Sequence, residues 1–119
     1  MADLKLGAIE TRFAEIIWEN EPMTTANLVK LCAKVLQWKR TTTYTVLKKL
    51  SEKGIFKTEN SVVTSLISKK EFEAMQSEQF VEENFKGSLP AFLAAFGSRK
   101  KLTDKEIDEM KMLIEKMRG

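Results

Sequence analysis

Residues 38–50 read WKRTTTYTVLKKL, and the folding of this stretch decides how the rest of the chain is organised. Successive threonines are poor helix formers, because a branched β-carbon loses rotamer freedom against the preceding turn. Yet Thr43, Val46, Leu47 and Leu50 recur at i, i+3, i+4 and i+7, one face of a helical period. The opposite face then carries Thr41, Thr45, Lys48 and Lys49, flanked by Tyr44 and Glu52. A face of hydroxyls and cations is either a solvated surface or one built to meet an anion.

Working outward toward the start of the chain, Ile9, Phe13, Ile16 and Ile17 follow the same period. They predict a first helix from about Ala8 to Glu19, ended by Asn20 and Pro22. Thr24 or Thr25 can cap a second helix with Leu28, Leu31, Cys32 and Val35 turned inward. Leu36 and Gln37 read as a short turn before Trp38, which joins the second and third helices tightly. Gly54 stands where a left-handed glycine would end the third helix. Beyond it, IFKTE and SVVTSLI are β-leaning runs bending around Asn60 and Ser61, a small hairpin. Three helices with a tight connection and a closing hairpin give a mainly α fold with a small β-hairpin (α+β), in winged helix-turn-helix organisation. There the second helix buttresses and the third offers its outer face to the DNA major groove.

The character of the sequence changes at Ser68, so residues 1–67 are expected to form the winged-helix DNA-binding domain and 68–119 a helical dimerisation region. Ser68-Lys69-Lys70-Glu71 is a capping box opening a helix with Phe72, Met75, Phe80 and Phe85. Ser88-Leu89-Pro90 opens the apolar AFLAAF, which holds Phe92 and Phe96 and stops at Gly97. Thr103-Asp104-Lys105-Glu106 is a second box, with Leu102 and Ile107 as its hydrophobic staple. The last helix carries the stripe Ile107, Met110, Leu113, Ile114 and Met117. These faces have no sheet to cover, and a second copy in a twofold contact is the expected partner. Phe72, Met75, Phe80, Phe85, Phe92, Phe96 and the final stripe therefore read as dimer core rather than as a small-molecule pocket.

Composition narrows the chemistry. The chain has one cysteine and no histidine, so the usual general base and the usual zinc ligands are missing. No phosphate-cradling glycine motif or nucleophile elbow occurs. No enzyme activity, cofactor or metal is expected, and Glu78, Glu82 and Glu83 read as a solvated helix face. Cys32 falls in step with Leu28, Leu31 and Val35 as a core thiol. A single cysteine fits a cytoplasmic location. No apolar run reaches the roughly 20 residues needed to span a bilayer, and no secretory leader is read, so no membrane insertion is expected. Charge is uneven: residues 1–58 hold 10 basic and 6 acidic residues, residues 59–119 hold 10 and 11. Within 30–57, eight basic side chains face Glu52 alone, a net +7 that points to a polyanion.

At this point the chain resembles the penicillinase-repressor (BlaI/MecI) family, to which the copper-responsive CopY repressors are related. The resemblance runs from Leu6 to Met117. It is carried by Ile16-Ile17-Trp18, Pro22-Met23-Thr24 and Leu28-Val29, and by Trp38 through Thr43 leading to Lys49-Leu50-Ser51-Glu52-Lys53-Gly54. Leu66-Ile67-Ser68, Gly87-Ser88-Leu89, and Leu102-Thr103 with Glu106-Ile107 continue it. It implies a homodimeric winged-helix repressor on a palindromic, double-stranded DNA operator, silencing a resistance or stress operon. In the antibiotic-responsive branch a sensor-linked protease that answers to β-lactam cuts an Asn–Phe bond in the arm. The matching pair here is Ala95-Phe96. Copper-responsive relatives carry a C-terminal cysteine cluster that this chain lacks.

The expected DNA-contact set is Lys39, Arg40, Thr41, Thr42, Tyr44, Thr45, Lys48 and Lys49. Arg40 suits a guanine edge, whereas Tyr44, Lys48 and Lys49 suit phosphates. Thr43 is assigned to the core. The wing, Asn60 to Thr64, is short and uncharged, which favours an alternative: a winged-helix module binding an acidic protein through its basic face.

Overall fold

The computed structural model describes residues 3–119. In chain order it contains α1 (Ala8–Asn20), β1 (Met23–Thr24), α2 (Thr25–Leu36), α3 (Arg40–Glu52), β2 (Phe56–Glu59), β3 (Val62–Ser65), α4 (Lys69–Phe85), α5 (Leu89–Gly97) and α6 (Asp104–Lys116). This is the expected winged-helix α+β fold. Packing separates a first unit, ending at Gln79, from a second, Phe80–Gly119, so α4 belongs to both.

In the first unit α1 is capped by Gly7, whose backbone N–H donates to the Glu10 carboxylate at 3.0 Å. A glycine cap therefore still satisfies one end-of-helix donor. Phe13, Ala14, Ile16 and Ile17 are buried. Ile9, expected on the same stripe, is instead 50% exposed. The α2 cap is Thr24, whose hydroxyl accepts from Asn27 N–H at 3.1 Å. Its buried stripe is Leu28, Cys32 and Leu36. Leu36 is thus the last helical residue and part of the core, not the turn, and Val35 is rotated outward. Gln37 ends the helix in the left-handed region, φ 56° and ψ 35°. Trp38 then stacks on Phe13, centroids 5.3 Å apart.

On α3, Thr43, Leu47 and Leu50 are buried. Gly54 follows at φ +81°, which lets Ile55 N–H reach back to Leu50 C=O at 3.1 Å. The hairpin pairs Phe56 with Ser65 through to Glu59 with Val62. Asn60 and Ser61, both at positive φ, close it in the type I′ manner. β1 adds to the other side of β3, Met23 opposite Val63, giving the order β1-β3-β2. The Glu21 carboxylate fastens the end of β3 by accepting from both the Ser65 N–H and its hydroxyl at 2.7–2.8 Å.

The start of α4 is held to the same core. Trp18 Nε1 donates to Ile67 C=O at 3.0 Å, and its ring lies 5.5 Å from both Phe56 and Phe72. Phe72 is only 3% exposed, a core residue of the first unit rather than a pairing residue of the arm. The backbone of Leu4 is bracketed by α4: its N–H donates to Gln79 Oε1 and its C=O accepts from Gln76 Nε2. Lys53 at the end of α3 donates to the carbonyls of Asp3 and Lys5. Residues 3–5 thus form a strap between α3 and α4.

The second unit is well capped and poorly buried. Ser88 caps α5 and Thr103 with Glu106 forms a full capping box on α6. Phe80, Phe85, Phe92 and Phe96 make a chain of ring contacts 5.4–6.3 Å apart. No residue from Phe80 to Gly119 is fully buried. No helix among the described residues is long and apolar enough to cross a membrane.

Candidate nucleic-acid interface

The outer face of α3 follows from its inner one. With Thr43, Leu47 and Leu50 inward, the helical period turns Lys39, Arg40, Thr41, Thr42, Tyr44, Thr45 and Lys48 outward, and all are exposed. Lys39 is the N-cap and offers no side-chain acceptor. The positive end of the helix therefore carries Lys39 and Arg40 without a local acid. Among the described residues, no carboxylate pairs with Lys39, Arg40 or Lys48. The Arg40 guanidinium instead lies over the Tyr44 ring, 5.3 Å from its centroid. Thr45 donates its hydroxyl to Thr41 C=O at 2.8 Å, keeping acceptor capacity on the oxygen.

Lys49 departs from the expected set. It is turned toward α1 and pairs with Glu10 at 2.6 Å. That hydrogen bond, then the one from Gly7 N–H, holds the Glu10 carboxyl below its ordinary value of 4.5. Four basic side chains of the 30–57 segment lie outside the expected set, Lys30, Lys34, Lys53 and Lys57, and the first two share a face of α2. Lys30 and Lys34 lie one turn apart and line a shallow groove of about 520 Å³ with Thr24 and Asn27. Their i, i+4 spacing on the polar face was the signal available in the sequence.

The wing brings no net charge, since Lys57 faces Glu59 at 3.5 Å and the tip is Asn60-Ser61. The tip is anchored nonetheless: Thr25 N–H donates to Ser61 C=O at 2.9 Å. Beneath α3, burial pushes the Cys32 thiol up, and the hydroxyl of Thr43 pulls it partly back. Cys32 is a free, buried core thiol. No metal-binding cluster of His, Cys, Asp or Glu occurs among the described residues.

Residues 6–116 match the family described as penicillinase repressor. The chain belongs to the penicillinase repressor family. It is accordingly a transcriptional repressor and not an enzyme. It is 22% identical over 116 residues to the methicillin resistance regulatory protein MecI of Staphylococcus aureus, covering 94% of each chain. It is 24% identical over 110 residues to the penicillinase repressor of Bacillus licheniformis, covering 89% of this chain and 86% of that protein. The family match spans both units of this penicillinase repressor family member, so the second unit is part of the family pattern.

In that second unit Leu89, Phe96, Leu113, Ile114 and Met117 are each about half exposed or more. A wholly apolar groove of about 360 Å³ runs between α5 and α6, lined by Leu89, Phe92, Met110, Leu113, Ile114 and Met117 among others. Phe80 is 48% exposed, while Phe85, Ile107 and Met110 are half-buried. Met75, at 41% exposure, lies on the part of α4 that belongs to the first unit. Ala95 and Phe96 sit in the last turn of α5, just ahead of Gly97 and the Ser98 cap.

Proposed function

We propose that the protein acts as a homodimer that binds a palindromic operator and represses a resistance or stress operon. The observation that carries this reading is the division of α3: Thr43 is buried, while Arg40, Thr41, Thr42 and Lys48 form an outer face with no acid paired to it. Arg40 reads a guanine edge, the exposed threonines meet bases or phosphates, and Lys39 and Lys48 hold phosphates. Lys49 is left out of the contact set because Glu10 already neutralises it.

The dimer is supported by the second unit. Forty residues without one buried side chain cannot supply their own core, and their exposed groove is apolar throughout. A second copy covers such a face in an isologous contact and spaces two α3 helices for two half-sites. Release by a sensor-linked protease at Ala95-Phe96 is part of the same reading. Since that bond lies in a helical turn, α5 has to unwind locally before a protease can take it.

A salt series on an operator duplex and a random duplex tests the assignment. Lys48→Ala weakens binding to both and reduces the salt slope by about one ion. Arg40→Ala loses discrimination at one base pair, at a cost of about 1–3 kcal/mol. Equal losses for both variants on both duplexes would refute it, and no shift of any duplex would leave the basic face to an acidic protein.

A further inference from the structure

Arg40 and Tyr44 are four residues apart, so they meet on one face of α3, with the guanidinium carbon 5.3 Å from the ring centroid. Tyr44 keeps 37% of its surface exposed, so the pair stands on the outer face and not in the core. An arginine side chain has many rotamers, and fixing it on a base edge costs conformational entropy. A ring beneath it removes part of that cost before any DNA arrives. The choice of a ring matters chemically. A carboxylate partner would occupy the in-plane N–H donors, the same donors that guanine O6 and N7 require. An aromatic face engages the flat side of the cation and leaves those donors available. Among the described residues no carboxylate pairs with Arg40, and Glu52 is the only acid between residues 30 and 57.

We propose that Tyr44 is a positioning residue for base recognition: its ring holds Arg40 for the groove and so sets specificity at the base pair Arg40 reads. This departs from the phosphate contact through the hydroxyl that the sequence alone suggests for Tyr44. It rests on the operator-binding reading and deepens it.

The test uses the full chain. A duplex selected by the wild-type protein from a random pool is the specific probe, each of its base pairs is then changed in turn, and a random duplex is the control. Tyr44→Phe keeps the ring and binds each duplex, specific and random, within about twofold of wild type. Tyr44→Leu lowers that ratio about three- to tenfold, at the same base pair that Arg40→Ala no longer reads. Neither variant changes the salt slope, because no charge is removed. On top of Arg40→Ala, Tyr44→Leu has no further effect on the ratio. Thermal melts confirm folding, and Tyr44→Gln serves as a second ring-less variant. The proposal is overturned if Tyr44→Phe weakens both duplexes equally, which marks a hydroxyl on a phosphate. It is also overturned if Tyr44→Leu and Tyr44→Gln match wild type, or if their loss maps to a different base pair. If wild type selects no duplex, or Arg40→Ala reads every pair as wild type does, the operator reading itself falls and takes this proposal with it. That failure is recognised by Arg40, not Tyr44, giving the unexpected result.

Discussion

Thr41, Thr42 and Thr43 are one residue type with different tasks, and the helical period separates them. Thr43 is 1% exposed, and its hydroxyl approaches Lys39 C=O at 3.4 Å and the Cys32 thiol. The Lys39 carbonyl also accepts from Thr43 N–H at 3.1 Å, so losing the hydroxyl leaves no carbonyl stranded. Thr43→Val therefore changes stability by less than about 1 kcal/mol and leaves operator affinity intact. Thr42→Val, on the exposed face, lowers operator affinity without lowering the melting temperature. Denaturant titration and gel shifts on both variants check this. Comparable affinity losses from the two would show that the face is assigned wrongly.

Among the elements, α4 has the most to hold, since it starts in one unit and ends in the other. Its anchor in the first unit is Trp18, which supplies a ring to Phe56 and Phe72 and an N–H to Ile67 C=O. Trp18→Phe keeps an aromatic contact and strands that carbonyl, a loss of about 1–2 kcal/mol; Trp18→Ala costs about 3–5 kcal/mol. Urea unfolding measures both, and equal small losses would remove Trp18 as the anchor. The same element shows where the sequence was readable. Helices with a strong period or a capping box, such as α3 and α6, could be seen directly, because their signals are local. β1 could not: two residues have no periodicity, and their partner Val63 lies far along the chain. The turn starts one residue later than the sequence predicts, because glutamine is an unusual left-handed residue and so hides Leu36 as a helical core position. Phe72 fitted the arm's apolar stripe equally well, and only its contact with Trp18 decides its place. In sequence Lys49 cannot be told from its neighbour Lys48, and only the pairing with Glu10, distant along the chain, separates them.

For the whole molecule, the contrast between a first unit with a dense core and a second with no buried residue makes the proposed pairing the property to test. Ile114, 54% exposed on α6 and lining the apolar groove, is a place to test it. Ile114→Asp puts a charge where a second copy would have to bury it, which is strongly unfavourable. The variant is expected to sediment as a monomer and to bind a two-half-site operator at least about tenfold more weakly, because paired half-sites gain from linkage. Its first unit, with an independent core, should keep its folded circular dichroism signal. Sedimentation of an unchanged dimer would show that the pairing surface lies elsewhere.

The strap at residues 3–5 adds a matter of timing. Leu4 is bonded to Gln76 and Gln79, partners 72 and 75 positions later in the chain. A ribosome delivers Leu4 early and its partners on α4 late, so the Leu4 backbone stays unbonded to α4 through the synthesis of α1, α2, α3 and the wing. Contacts of such long sequence separation close slowly compared with local ones. Leu4, made before every helix and strand of the first unit, is thus among the last of its residues to be fixed, and its docking on α4 marks completion of that unit.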